Sequence, residues 1–188
     1  LPVSLCVFIA LVLALLVGLG NAWLTVKLGL NSIIATVGMQ FIARGVSYSF
    51  TSGVPIYPLP ESVAFFGNLR PLRLSFTFFF MVALMVIIQL ILNQTRWGAM
   101  IYATGGNRMA AEMCGINTGR VKTICFMLTS FFAGIAGLLT MSQMPIPSGD
   151  PIFGRNIELD IIVGVVVGGV SLFGGRGNIL GTLIGALI

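Results

Sequence analysis

The side chains that most often carry catalysis or bind metals are sparse in this chain. It has no histidine and three cysteines, Cys6, Cys114 and Cys125, none of which stands in a Cys-x-x-Cys pair. A zinc site of the usual Cys/His type and a His-based catalytic triad are therefore excluded. Free cysteines are typically small apolar residues of a packed interior, and we interpret these three in that way.

Three ionisable residues near apolar segments are candidates for chemistry in a pathway or gate. Arg44 lies within an apolar run, and Glu158 and Asp160 stand at the start of another. On a helix the two acids point about 200° apart, so they cannot act as a paired dyad. One of them is expected to cap the following helix, whose dipole favours an acid there, with direct substrate contact as the alternative. Arg44 either pairs with one of these acids or extends to the outer interface.

The glycine cluster around Arg176 does not have the pattern of a nucleotide site. Gly175 and Gly177 are followed by Gly181, one residue too far for a dinucleotide fingerprint, and no Gly-Lys-Ser/Thr phosphate loop occurs. We interpret Gly174–Gly177 as a tight turn between two apolar segments. No bound cofactor and no ATP-hydrolysing site are therefore expected on this chain.

The composition excludes a soluble domain. Hydrophobic residues make up 57% of the 188 residues and charged residues only 8%, against about 25% charged in ordinary globular domains. Lipid solvates apolar side chains, and a helix of roughly 20 apolar residues crosses the hydrocarbon core. The sequence therefore predicts an all-α, polytopic bundle of transmembrane helices.

Six apolar segments predict about six spans. Spans A to F are expected at 3–26, 32–50, 74–92, 123–141, 161–173 and from 178 onward. Loops with several prolines are expected at 51–73 and 142–160. Because the chain begins and ends within apolar runs, we interpret residues 1–188 as a single transmembrane domain truncated at both ends.

Basic residues are concentrated on one side of the predicted membrane. Alternating spans place Lys27, the stretch 93–122 and Arg176 on the same side, which the positive-inside rule makes the cytoplasm. The net charge of +5 follows mostly from this bias. No nucleic-acid partner is therefore predicted.

Glycines recur at four-residue spacing in the last two spans. Gly164 and Gly168 fall on one face of span E, and Gly177, Gly181 and Gly185 fall on one face of span F. Small residues at this spacing let helix backbones approach closely in lipid. We predict that these five glycines pack helices together.

The polar stretch 93–122 is expected to contain a short cytoplasmic helix. Asn107 is a good N-cap residue and Gly115 a good C-terminal stop, so the helix is predicted over 108–114. Ala110 and Ala111 would give it a small, smooth face suited to a groove on another protein. An amphipathic helix that only lies on the lipid surface is the alternative.

The same stretch resembles the cytoplasmic coupling motif of ABC importer permeases, Glu-Ala-Ala followed by Gly. Ala110, Ala111 and Gly115 match that motif, and Met109 stands where the family has Glu. Most of the chain resembles the ribose-type branch of these permeases more closely. The matching blocks are Ile34–Met39, Ala43–Gly45, Tyr102–Ile116, Glu158–Asp160, Gly168–Gly177 and Gly181–Gly185.

The resemblance implies a permease subunit of a bacterial ATP-driven importer for monosaccharides or similar small polar solutes. Such permeases have roughly ten spans of the usual length, lie in the cytoplasmic membrane and pair as homodimers or heterodimers. They receive solute from an extracytoplasmic binding protein and dock a separate ATP-binding subunit. The resemblance assigns that docking contact to Gly105, Gly106, Asn107, Ala110, Ala111, Gly115 and Ile116.

An ion-gradient-driven secondary transporter is the alternative function. Arg44, Glu158 and Asp160 would then form the ion-coupling set. The energy source separates the two hypotheses, because an uncoupler would abolish secondary transport while ATP remains. An intramembrane enzyme is disfavoured, since the sequence shows no convincing pair of nucleophile and base.

Overall fold

The computed structural model describes residues 2–52, 54, 75–143 and 157–188. These residues form α-helices and no β-strand, which confirms the predicted fold class. The helices are α1 (Val3–Ala22), α2 (Ser32–Thr51), α3 (Phe76–Gln94), α4 (Arg96–Gly106), α5 (Arg108–Met113), α6 (Thr118–Gln143), α7 (Ile157–Val167) and α8 (Ile179–Leu187). A π-helical turn, Trp23–Lys27, continues α1. The predicted loops at 51–73 and 142–160 lie largely outside the described residues.

Three helices in the described part of the chain are long and apolar enough to cross a membrane. They are α1 with its π-helical turn, α3 and α6, with 25, 19 and 26 residues. At 1.5 Å rise, even the shortest extends about 28 Å, close to the thickness of the hydrocarbon core. The chain is accordingly a multi-pass membrane protein, and spans A, C and D of the prediction are confirmed as membrane-crossing candidates.

The helix α2 has nearly the predicted bounds of span B. Its N-cap is Asn31, whose side chain accepts a hydrogen bond from the Ile33 N–H at 2.9 Å. The helix has 20 residues, enough to cross the hydrocarbon core, but it is not apolar enough to count among the three membrane-crossing candidates. Arg44 lies on α2 and is partly exposed.

Residues 1–79 and 122–151 form one compact unit. Small residues bring α1 and α6 together within it. A Cβ atom at Gly18 would lie 2.9 Å from the carbonyl oxygen of Phe126 and from the hydroxyl of Ser130, and one at Gly134 would lie 2.9 Å from the Ala14 Cβ. These contacts follow the close-approach rule for helices in lipid.

Residues 80–121 and 152–188 form the second unit, which contains α4, α5, α7 and α8. Its helix α7 begins at Ile157 and ends at Val167, so the prediction of span E at 161–173 was wrong at both ends. Gly169 has a φ of +82°. The Val170 N–H bonds to the Val165 carbonyl at 3.2 Å, which closes the helix with a Schellman motif. With 11 residues, α7 extends about 16 Å and is too short to cross alone.

Local capping explains two further differences from the predicted elements. The helix α6 starts at Thr118, five residues before the predicted start at 123, because the Asn117 side chain accepts a hydrogen bond from the Arg120 N–H at 3.0 Å. The helix α4 was not predicted, although Thr95 caps it by accepting from the Gly98 N–H at 3.4 Å. The stretch 93–122 therefore holds two helices before α6 begins.

Candidate functional site

The short helix α5 lies between a capping residue at its start and a glycine stop at its end. The Asn107 side chain accepts a hydrogen bond from the Ala110 N–H at 3.1 Å. At the other end, Gly115 has a φ of +80°. The N–H groups of Gly115 and Ile116 bond to the carbonyls of Glu112 and Ala111, both at 3.0 Å, in a Schellman motif. The predicted helix is confirmed, and it ends at Met113, one residue before the predicted end.

The exposed face of α5 differs from the predicted one. Ala111 is only 3% exposed, whereas Ala110 is exposed, so the two do not form one outward face. The exposed apolar side chains are Met109 at 70% and Met113 at 87%. They stand four residues apart and therefore lie on the same side of the helix. Methionine is flexible and polarizable, which suits adaptable contact with another protein. The four-residue spacing of these two methionines is visible in the sequence.

Glu112 orients α5 relative to the start of α6. Its carboxylate accepts hydrogen bonds from the Arg108 Nε at 2.9 Å and from the Thr118 hydroxyl at 2.5 Å. In the ion pair with Arg108 both side chains are exposed. The pair therefore contributes only about 0.3–0.5 kcal/mol to stability. Thr118 is 2% exposed, so its bond is the one that holds α5 in place.

Replacement of Asn107 with alanine is expected to destabilise α5 by about 1 kcal/mol, because the N-cap hydrogen bond to Ala110 is lost. Hydrogen exchange at the Ala110 and Ala111 amides should become about fivefold faster, the factor that corresponds to 1 kcal/mol. The variant Asn107→Asp retains a capping oxygen and should exchange at nearly the parent rate. Equal exchange in the alanine variant and the parent would contradict the capping role.

A backbone contact links α4 to the loop between α7 and α8. A Cβ atom at Gly105 would lie 2.5 Å from the Gly175 nitrogen, and one at Gly175 would lie 2.6 Å from the Gly106 Cα. A Cβ at Gly174 would lie 2.9 Å from the Gly105 carbonyl oxygen. We call these four residues, Gly105, Gly106, Gly174 and Gly175, the glycine clasp. Gly105 and Gly106, predicted to contact an ATPase, thus make an internal contact in the structure.

The loop that contributes half of the clasp is longer than the predicted tight turn. It runs through 168–178, and Gly174 and Gly175 have φ values of +92° and +76°, which favour glycine. The Ser171 N–H bonds to the Arg176 carbonyl at 3.0 Å and closes the loop on itself.

Tyr102 ties this loop to α4 beside the clasp. Its hydroxyl donates a hydrogen bond to the Gly177 carbonyl at 3.0 Å. A cavity of about 370 Å³ lies next to this bond, between α4 and the loop. The sequence offered no signal for the pairing, because the two residues are 75 positions apart.

Four of the five predicted packing glycines meet between α7 and α8. A Cβ at Gly164 would lie 3.3 Å from the Gly185 carbonyl oxygen, and one at Gly168 would lie 2.5 Å from the Gly181 carbonyl oxygen. The prediction for Gly177 was wrong, because this residue precedes α8. A Cβ atom at Gly177 would meet the Val170 side chain at 3.2 Å. We call α7, α8 and their connecting loop the glycine hairpin.

The start of α8 is held by two side-chain acceptors. The Asn178 side chain accepts from the Leu180 N–H at 3.0 Å, and the Gln89 side chain on α3 accepts from the Ile179 N–H at 3.3 Å. These bonds satisfy amide groups that a helix start leaves free. Gln89 was not among the predicted site residues, because it stands in span C, an uncharged apolar segment with no local pattern that indicates a distant partner.

The acidic residues lie in the first turn of α7. Glu158 and Asp160 are its second and fourth residues, and the role of either acid in capping the helix stays a prediction. Their charges still favour the positive end of the helix dipole. Arg44 belongs to the other unit, and its pairing with either acid stays a prediction.

Comparison with known proteins identifies permeases throughout. The ribose import permease protein of Escherichia coli is 36% identical over 183 residues, which cover 95% of this chain and 56% of the relative. The ribose import permease protein of Bacillus subtilis is 38% identical over 170 residues, covering 89% and 52%. The L-arabinose transport system permease protein of Escherichia coli is 36% identical over 168 residues, covering 89% and 51%. The chain thus spans about half the length of these curated relatives.

The family model extends over the whole chain. Its description is "branched-chain amino acid transport system / permease component", and it matches residues 1–188. No solved structure matches the chain. The family description names amino acids whereas the relatives above are named for sugars, so the family alone does not define the solute. The full-length match, together with apolar helices of membrane-crossing length, shows that this chain belongs to that family of transport-system permease components.

Proposed function

We propose that this chain is the transmembrane permease subunit of an ATP-binding-cassette importer that moves a monosaccharide, ribose-like, or a similar small polar solute into the cell. The observation that carries this proposal is its similarity, over 89–95% of its length, to permeases named for ribose and arabinose. On this proposal the chain binds no cofactor, and ATP is hydrolysed on a separate subunit.

The ATP-binding subunit is proposed to dock on α5. Two features of the helix support this role: both its ends are capped by its own residues, and it exposes Met109 and Met113 on one side. A rigid helix with apolar side chains on one face is a common element for docking into a groove. The docking surface of α5 is thus Met109 and Met113, with Ala110 beside them, rather than the buried Ala111.

The remaining partners follow from the importer class. We propose a second permease subunit, identical or different, an extracytoplasmic solute-binding protein, and a location in the bacterial cytoplasmic membrane with α5 on the cytoplasmic side. The positions of Lys27, Arg108 and Arg176 support that orientation through the positive-inside rule. Arg44, Glu158 and Asp160 remain proposed pathway or gating residues.

The test uses the complete permease, purified from its native host in mild detergent. Recovery of an ATP-binding subunit, and sugar uptake into proteoliposomes that requires ATP and resists an uncoupler, would support the proposal. Uptake that follows an imposed proton gradient without ATP would replace it with the secondary-transporter hypothesis. Ribose and arabinose are the first solutes to supply, and a branched-chain amino acid is the control suggested by the family description.

A further inference from the structure

We infer that the glycine clasp transmits movement of the docking helix α5 to the glycine hairpin, and that Gly105, Gly174, Gly175 and Tyr102 are positioning residues for transport. This inference rests on the proposed function, because it assumes that α5 is displaced by an ATP-binding subunit. It assigns a specific path to that displacement, which neither the family nor the relatives define.

The first step of the path is the junction between α5 and α4. The two helices are separated by a single residue, Asn107. The Asn107 N–H bonds to the Ala103 carbonyl at 3.1 Å in α4, and its carbonyl accepts from the Ala111 N–H at 3.0 Å in α5. The backbone of a single residue thus closes the last turn of one helix and the first turn of the next. A displacement of α5 therefore acts directly on the C-terminal end of α4.

The second step crosses from α4 to the loop at the glycine clasp. The clasp is a contact of backbone with backbone, because none of its four residues has a side chain. Close-packed atoms resist compression and transmit displacement. A side chain at the contact could change rotamer and absorb the movement, whereas a peptide backbone in contact has no such freedom. The hydrogen bond from Tyr102 to Gly177 adds a directional link, so that the loop also follows α4 when α4 moves away.

The third step runs from the loop through the hairpin. The loop leads directly into α8 at Asn178 and Ile179. The backbones of α8 and α7 then meet at Gly168 with Gly181 and at Gly164 with Gly185. The far end of α7 carries Glu158 and Asp160, about 12–15 Å from the loop by helical rise. The path thus connects a proposed cytoplasmic docking surface to the proposed gating acids.

The experiment measures ATP hydrolysis and solute uptake together in proteoliposomes that contain the complete permease and its ATP-binding subunit. Gly105→Ala introduces a methyl group 2.5 Å from the Gly175 nitrogen, which forces the clasp apart. We expect the solute moved per ATP hydrolysed to fall about five- to tenfold, in line with the cost of overpacking a close contact. ATP hydrolysis itself should continue, because the α5 surface is unchanged.

The control is Gly137→Ala on α6, a helical glycine whose Cβ would meet nothing within 4 Å. It should keep the parent ratio of uptake to hydrolysis. Tyr102→Phe removes only the hydrogen bond to Gly177 and should lower the ratio about two- to fivefold, as expected for one hydrogen bond. This variant keeps the test decisive if Gly105→Ala does not fold.

The outcomes separate this inference from the proposed function. A parent complex without ATP-dependent uptake would reject the proposed function itself. A coupled parent with unchanged ratios in both Gly105→Ala and Tyr102→Phe would show that the clasp only packs the chain, and would overturn the inference. Reduced thermal stability with an unchanged ratio would have the same meaning, because a purely structural contact affects the amount of folded protein rather than its coupling.

Discussion

Replacement of Met113 with glutamate is expected to abolish co-purification of the ATP-binding subunit while the permease still inserts into the membrane. Met113 is 87% exposed, so a charge there does not disturb the permease itself. In a docked complex the same charge would be buried without a partner, which costs several kcal/mol. A loss of about 3 kcal/mol lowers the affinity more than 100-fold. Pull-down with the tagged permease measures the effect.

The control for this prediction is Met113→Leu, which keeps an apolar side chain of similar volume and should retain the ATP-binding subunit. A second glutamate at Met109, on the same side of α5, should act like Met113→Glu. Full recovery of the ATP-binding subunit with both glutamate variants would remove α5 from the docking contact, whatever the family resemblance implies.

The buried position of Ala111 decides which substitution is informative. A glutamate at Ala111, which is only 3% exposed, would introduce an unpaired charge into a packed position and unfold α5. Loss of the ATP-binding subunit in that variant would follow from either a missing helix or a blocked surface. The exposed Met113 avoids this ambiguity because the helix is expected to remain folded.

Replacement of Gly181 with alanine is expected to separate α7 from α8. The added Cβ would overlap the Gly168 carbonyl oxygen, and this neighbour is backbone, which cannot turn aside. Overpacking of this kind typically costs 1–3 kcal/mol or more, at the upper end of the usual range here because both sides are backbone. The melting temperature of the complete permease should therefore fall by several degrees.

The matched variant is again Gly137→Ala, which makes the same change in a helix where the methyl group meets nothing within 4 Å. Alanine is the better helix former by about 1 kcal/mol, so this variant should melt at or above the parent temperature. Thermal unfolding of the purified permease in detergent, followed by light scattering, compares the two. Equal melting temperatures for Gly181→Ala and the parent would contradict the close contact of the hairpin.

Features that depend on a few neighbouring residues were predictable from the sequence. Asn107 and Gly115 delimited α5 to within one residue, because capping bonds reach only two or three positions along the chain. The apolar segments predicted α1, α3 and α6 as spans, since crossing a membrane requires a continuous apolar length. The resemblance of the blocks around Ala110, Gly168 and Gly181 identified the family, which the full-length match confirmed.

Features that depend on distant residues were decided only by the tertiary structure. Ala111 is buried although its neighbour Ala110 is exposed, because burial depends on what packs against each side of a helix. Gly105 and Gly175 look like independent loop or cap glycines in the sequence, yet their backbones are in contact although about 70 residues separate them along the chain. Tyr102 and Gln89 likewise found backbone partners that no local pattern indicates. The sequence by itself determined three membrane-crossing helices, the bounds of the short helix α5 and the family, whereas the tertiary structure decided which surfaces face outward and how the helices connect.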